Sequence, residues 1–172
     1  TIDETKLMLE KLRSVDEDLM LDHATCMPAQ ILAALQSSHQ FDEGDLPLDH
    51  SRCHLVGLGG SAIAGERLRD MISPRRVIAV HRGTLPPRDK CGVIVSSYSG
   101  CTDEILELAP KVIGGLKSVI FITSGGKLKQ YAKEWSIPLW KVPPGYQARA
   151  AVGWSMALLV SILERWRVLH GV

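Results

Sequence analysis

Cysteine, aromatic residues and long apolar runs are all scarce in this sequence, and each shortage removes a class of protein. The four cysteines, Cys26, Cys53, Cys91 and Cys101, form no C-x-x-C pair. Their scatter matches neither a zinc ribbon nor a secreted disulfide framework and fits a reducing cytoplasm. The longest apolar stretch, near Trp154 to Leu163, is far shorter than the roughly 18 residues of a membrane span. No charged-then-apolar leader opens the chain. Neither sign of charge dominates, with 20 Lys and Arg against 19 Asp and Glu. Without a dense basic run interleaved with aromatics, a nucleic-acid partner is not expected. The six histidines read as packing or surface residues, so no metal or other cofactor is expected.

What remains is 172 residues, 45% of them hydrophobic, enough for one core and short for two. Residues 3–13 and 28–35 have helical apolar spacing and give two lead-in helices, followed by a polar, acidic loop over 37–51. Residues 1–50 are therefore a helical lead-in packed on the same domain, and 51–172 the main body. Five strand-length apolar runs follow, at 53–58, 77–81, 93–97, 118–123 and 137–142. The first four are near-continuous in Val, Ile or Leu, as in a parallel sheet covered on both faces; the last alternates and contains Pro138, as an edge strand does. Helical stretches at 61–72, 102–113 and 127–134 separate them, and 148–169 reads as one long closing helix, either central in the core or part of a subunit contact. The segment 82–90, with Pro86 and Pro87, reads as loop. The pattern predicts an α/β, doubly wound, five-stranded parallel sheet in the order 2-1-3-4-5, flavodoxin-like in topology, with helices on both faces. Its ligand crevice then falls beyond the carboxyl ends of the first and third strands.

The chemistry-bearing residues cluster at those strand ends. Gly57-Leu58-Gly59-Gly60-Ser61 runs into a helix, where free amides and a bare backbone favour an anion. Ser97-Tyr98-Ser99-Gly100-Cys101-Thr102 follows the third strand. Ser97, Ser99 and Thr102 can each donate a hydrogen bond to a phosphate dianion, although each is also an ordinary turn or cap residue. Thr123-Ser124-Gly125-Gly126-Lys127 is no Walker A loop and reads as a helix-capping turn. Arg149 is expected in the first turn of the closing helix, where a cation opposes the macrodipole and calls for an anionic partner. Gly57-x-Gly59-x-x-Ala62 also matches the dinucleotide fingerprint. The second strand ends in His81-Arg82 instead of an acid, so that reading would need NADP, with Arg82 on its 2′-phosphate.

Taken together, Gly57 to Gly65, Ser97 to Glu104, Ile122 to Gly126 and Gly145 to Ala150 resemble the sugar isomerase (SIS) domain. More narrowly, they resemble the N-terminal half of the bifunctional phosphoglucose/phosphomannose isomerase family. The resemblance implies that Gly59, Gly60 and Ser61 line a sugar-phosphate site, that Ser97, Ser99 and Thr102 bind the phosphate, and that Arg149 stabilises an enediolate. It implies a hexose 6-phosphate substrate, glucose or mannose 6-phosphate giving fructose 6-phosphate, and, with the apolar closing helix, a homodimer. Members of that family carry a second SIS domain whose glutamate is the base, assisted by a histidine of the neighbouring subunit and a late lysine. None of these is present here, and Leu169 to Val172 fall where the interdomain linker would start, so turnover is expected only with a second SIS domain. Cys101, Ile105 and Ala148 depart from the family's asparagine, threonine and proline. Two alternatives stand beside the isomerase: a non-catalytic phosphosugar-sensing module and an NADP-dependent oxidoreductase domain.

Overall fold

The computed structural model of the chain describes residues 2–17, 19–42, 44–72, 77–116 and 118–169. Of Leu169 to Val172, the expected start of a linker, all but Leu169 lie outside them. Each of the five apolar runs overlaps a strand: β1 (Asp49–Gly57), β2 (Ile78–Arg82), β3 (Cys91–Ser96), β4 (Val119–Thr123) and β5 (Leu139–Lys141). They pair in parallel throughout, in the order β2-β1-β3-β4-β5. Every residue of β3 and β4 is buried, which is why their sequences do not alternate. β5 starts directly after Pro138, whose carbonyl accepts a hydrogen bond from the Phe121 amide at 2.9 Å. Proline has no amide to offer the ladder in return.

Helices α1 (Ile2–Val15), α2 (Met20–Thr25) and α3 (Met27–Ser38) precede the sheet, and α4 (Gly59–Met71), α5 (Asp103–Ile113), α6 (Gly126–Glu134) and α7 (Val152–Arg165) flank it. Strand periodicity sends alternate residues to opposite faces. Leu55, Ile94, Ile120 and Ile122 pack with Leu158, Leu159, Ile162 and Trp166 at the α7 side. Val56, Val93, Val95 and Phe121 pack with Ile105 and Ala109 of α5 and Leu128 of α6. The segment 83–90 joins β2 to β3 with no helix. α1 lies exposed, with Leu7, Leu9 and Leu12 open to solvent.

Two expectations are corrected. α2 is a helix that apolar spacing does not predict; its first amides, of Met20 and Leu21, donate to the two carboxylate oxygens of Asp16, both at 2.8 Å. The closing helix is not continuous over 148–169. Ala148–Ala150 form a single 3-10 turn and Ala151, at φ −90° and ψ 18°, breaks from α geometry before α7 begins. At the other end Arg167 takes a left-handed φ of 57°, and Val168 and Leu169 donate back to the Leu163 carbonyl at 2.8 and 3.2 Å, closing the helix. α7 buries Trp154, Leu158, Leu159, Ile162 and Leu163 within this chain, so its apolar character is accounted for by the core.

Candidate functional site

Because all strands run parallel, the loops after β1, β3, β4 and β5 meet at one end of the sheet. The buried Ser61, in the first turn of α4, accepts a hydrogen bond from the Tyr98 amide at 3.2 Å, which binds the first loop to the third. Gly60 lies under the 3-10 turn so closely that a Cβ there would stand 2.7 Å from the Ala148 carbonyl oxygen and 3.1 Å from the Arg149 nitrogen. Any side chain at position 60 would drive Arg149 away from the glycine turn. Arg149 is thus placed by the 3-10 turn, and the macrodipole of α7 is not what positions it.

Tyr98, which sequence reasoning passed over, fastens all four loops. Its carbonyl accepts from the Ser124 amide at 3.0 Å and the Ser124 hydroxyl at 2.7 Å. Its phenolic hydroxyl donates to the Pro143 carbonyl at 3.1 Å and accepts from the Tyr146 amide at 2.8 Å. Tyr98→Phe removes both of those last bonds and leaves two backbone groups unpaired, at a cost of about 1–3 kcal/mol. Hydrogen exchange at the Tyr146 amide should then accelerate while the β3 and β4 amides keep their protection. Unchanged exchange at Tyr146 would show that the phenol does not hold the 143–149 segment.

The three candidate phosphate hydroxyls are not equivalent. Ser97 is buried, its Oγ accepts from the Gly100 amide at 3.2 Å, and it lies 3.0 Å from Thr102 Oγ1. In that pair one hydroxyl donates to the other, which leaves one proton free to point outward. Thr102 precedes α5 but makes no side-chain cap bond, so capping does not explain it. The exposed Ser99 accepts from the Cys101 amide at 3.2 Å and keeps its own proton free. Asp103 and Glu104 occupy the first turn of α5, where carboxylates complement the dipole. The mouth therefore offers hydroxyl protons and first-turn amides of α5 on one side and the exposed Arg149 on the other. Among the described residues no carboxylate pairs with Arg149.

Arg82, the residue the NADP reading requires, is taken. Its Nε and Nη2 donate to the two oxygens of Glu66 on α4 at 2.7 and 2.6 Å, a bidentate pair. Arg82 beside it holds the Glu66 carboxyl below the usual range. A carboxyl lowered in the folded state contributes stability that is present above its unfolded pKa, about 4.3, and is lost as pH falls through the lower folded value. The stability difference between the protein and Glu66→Gln should accordingly be small near pH 7, as surface pairs are, and vanish in acid. A difference in urea midpoint that persists or grows at acid pH would contradict this.

These features define a class. The chain has the fold of the sugar isomerase (SIS) domain, a doubly wound parallel sheet whose loops meet at the strand carboxyl ends. Within that class it resembles the N-terminal half of the bifunctional phosphoglucose/phosphomannose isomerases. It is 32% identical over 158 residues to bifunctional phosphoglucose/phosphomannose isomerase of Caldicellulosiruptor bescii, covering 89% of this chain and 47% of that protein. Over 110 residues it is 37% identical to D-glucosamine-6-phosphate 4-epimerase of Sulfolobus acidocaldarius, covering 63% and 36%. The chain thus spans less than half the length of these curated relatives. A solved protein of Thermus thermophilus, described as hypothetical, shares the fold with a TM-score of 0.60 at 16% identity, covering 94% of this chain and 43% of that one. No family model matches. Among the described residues no helix is long and apolar enough to cross a membrane.

Proposed function

We propose that this chain is the sugar-phosphate-binding half of an aldose-ketose isomerase that converts glucose 6-phosphate or mannose 6-phosphate to fructose 6-phosphate, with a second SIS domain completing the catalytic site. Thr102, oriented by Ser97, and Ser99 donate to the phosphate together with the amides opening α5. The exposed Gly59 lets the sugar lie against backbone, while Gly60 and Ser61 shape that side of the site by their contacts with the 3-10 turn and the Tyr98 amide. Isomerisation moves a proton between C2 and C1 through a cis-enediolate, whose developing negative charge needs a fixed cation nearby. Arg149 is that cation, and the observation that carries the reading is its lack of a carboxylate partner among the described residues while its backbone is clamped against Gly60. By resemblance, the base comes from the second domain. Exposed Leu7, Met8, Leu12 and Val15 on α1 and Leu32 on α3 support a homodimer contact through the lead-in helices.

The test is a thermal titration with fructose 6-phosphate against fructose, followed by an isomerase assay of the native gene product with glucose 6-phosphate. Stabilisation by the phosphate ester alone, with turnover, is expected. Stabilisation without turnover in the native product would favour a phosphosugar-sensing module. No stabilisation would overturn both. The 37% identity to a D-glucosamine-6-phosphate 4-epimerase supports a second reading in which the same phosphate grip serves an amino sugar. A preference for glucosamine 6-phosphate over fructose 6-phosphate in the same titration would favour it.

A further inference from the structure

The opposite end of the sheet carries a second constellation that the sugar-phosphate reading does not use. His54 Nε2 of β1 and the Asp89 and Cys91 side chains at the start of β3 place one nitrogen, one oxygen and one sulfur within 4.8 Å of one another. We propose that these three residues form a binding site for a transition-metal dication of the zinc type, independent of the sugar-phosphate site.

The donor set is the first argument. Imidazole, carboxylate and thiolate together suit Zn²⁺ and Co²⁺, whereas Mg²⁺ and Ca²⁺ take oxygen. Preorganisation is the second. Asp89 Oδ1 accepts from the Cys91 amide at 3.0 Å, which turns Oδ2 toward His54 Nε2, 3.0 Å away. His54 is 1% exposed and its other ring nitrogen lies 3.0 Å from His81 Nε2. When Nε2 carries the metal, Nδ1–H donates to His81, the outer-shell contact that fixes a ligating imidazole. The register of β1 against β3 slips between Asp49 and Cys53, and such irregularities gather at sites where side chains are re-aimed.

Access is the third argument. Asp89 and Cys91 line a cavity of ≈ 450 Å³ together with Asp45, Leu46, Leu48 and Ser118, which leaves room for a water in the fourth position. Arg52 Nη2 lies 3.4 Å from Asp89 Oδ2, but its side chain is 46% exposed and swings into solvent when a dication takes that oxygen. Cys91 binds as thiolate and releases its proton to water. The ligands come from two strands and the loop between β2 and β3, so no spacing motif in the sequence announces them.

The experiment is a Co²⁺ titration of the chelator-treated full chain carrying C26A and C101A, which leaves only Cys53 and Cys91 as thiols. One equivalent should produce sulfur-to-cobalt charge transfer in the near ultraviolet and intense tetrahedral d–d bands. His81→Ala should weaken binding about 10- to 100-fold. Zn²⁺ at a hundredfold excess over its Kd should raise Tm by about 5–10 °C. The charge-transfer band should survive Cys53→Ala and disappear in Cys91→Ala. Absence of the band in the parent protein, or its loss in Cys53→Ala alone, would reduce the cluster to a hydrogen-bonded network and overturn the proposal, whether or not Cys91→Ala folds.

Discussion

Gly100→Ala is expected to be the most damaging single substitution at the mouth of the sheet, with a loss of about 3–5 kcal/mol in unfolding stability. Gly100 has φ 65°, the left-handed region that costs a residue with Cβ about 1–2 kcal/mol. The larger cost is contact. A Cβ there would collide with the Gly125 carbonyl oxygen and stand 2.7 Å from Thr123 Oγ1. Neither neighbour can give way: Thr123 Oγ1 donates to that same carbonyl at 3.0 Å, and the Gly100 carbonyl accepts from the Leu128 amide at 2.9 Å. The β3 and β4 loops therefore meet backbone to backbone, and a single methyl would part them. For a chain of this size the loss corresponds to a fall in Tm on the order of 10 °C. Gly125→Ala is the control, since its φ is extended at 174° and a Cβ there meets nothing within 4 Å. Equal melting temperatures for the two variants would refute the close-approach account.

The contrast between those two glycines marks how far the sequence could be read. The strands were legible because burial on both faces writes itself as continuous Val and Ile, and the order 2-1-3-4-5 because one loop and several helices separate the runs. Pro138 correctly announced an edge strand, since a residue without an amide is tolerated there. The closing helix misled because Ala148 to Ala151 have high helical propensity, while their backbone is set by tertiary contacts: Gly60 presses on Ala148, and Gln30 Nε2 donates to the Ala150 carbonyl at 3.0 Å. α2 carried a local signal in Asp16, a capping carboxylate ahead of a short helix, that periodicity over so few residues does not register. The role of Tyr98 had no such signal. Its partners lie up to 48 positions away, and only the parallel topology brings them to one end of the sheet. His54, Asp89 and Cys91 are hidden for the same reason.

The double substitution Ser99→Ala with Thr102→Val is expected to abolish most phosphate affinity while leaving the fold intact. Hydrogen bonds to a charged group are worth about 1.5–3 kcal/mol each, so two lost donors weaken fructose 6-phosphate binding by at least about a hundredfold. Little stability should be lost with them. Ser99 is exposed and donates to no described group, and Thr102 makes no cap bond to α5. Valine keeps the shape of threonine, so its main structural loss is the 3.0 Å contact with Ser97, about 1 kcal/mol for a half-buried neutral pair. The single variants separate the roles further. Ser97→Ala keeps both outward donors but frees Thr102 to rotate, so it should weaken binding less than Thr102→Val does. Calorimetric titration of fructose 6-phosphate into each variant decides the matter. If the double variant binds as tightly as the parent, the phosphate lies elsewhere and the hydroxyls at this mouth only shape its turns.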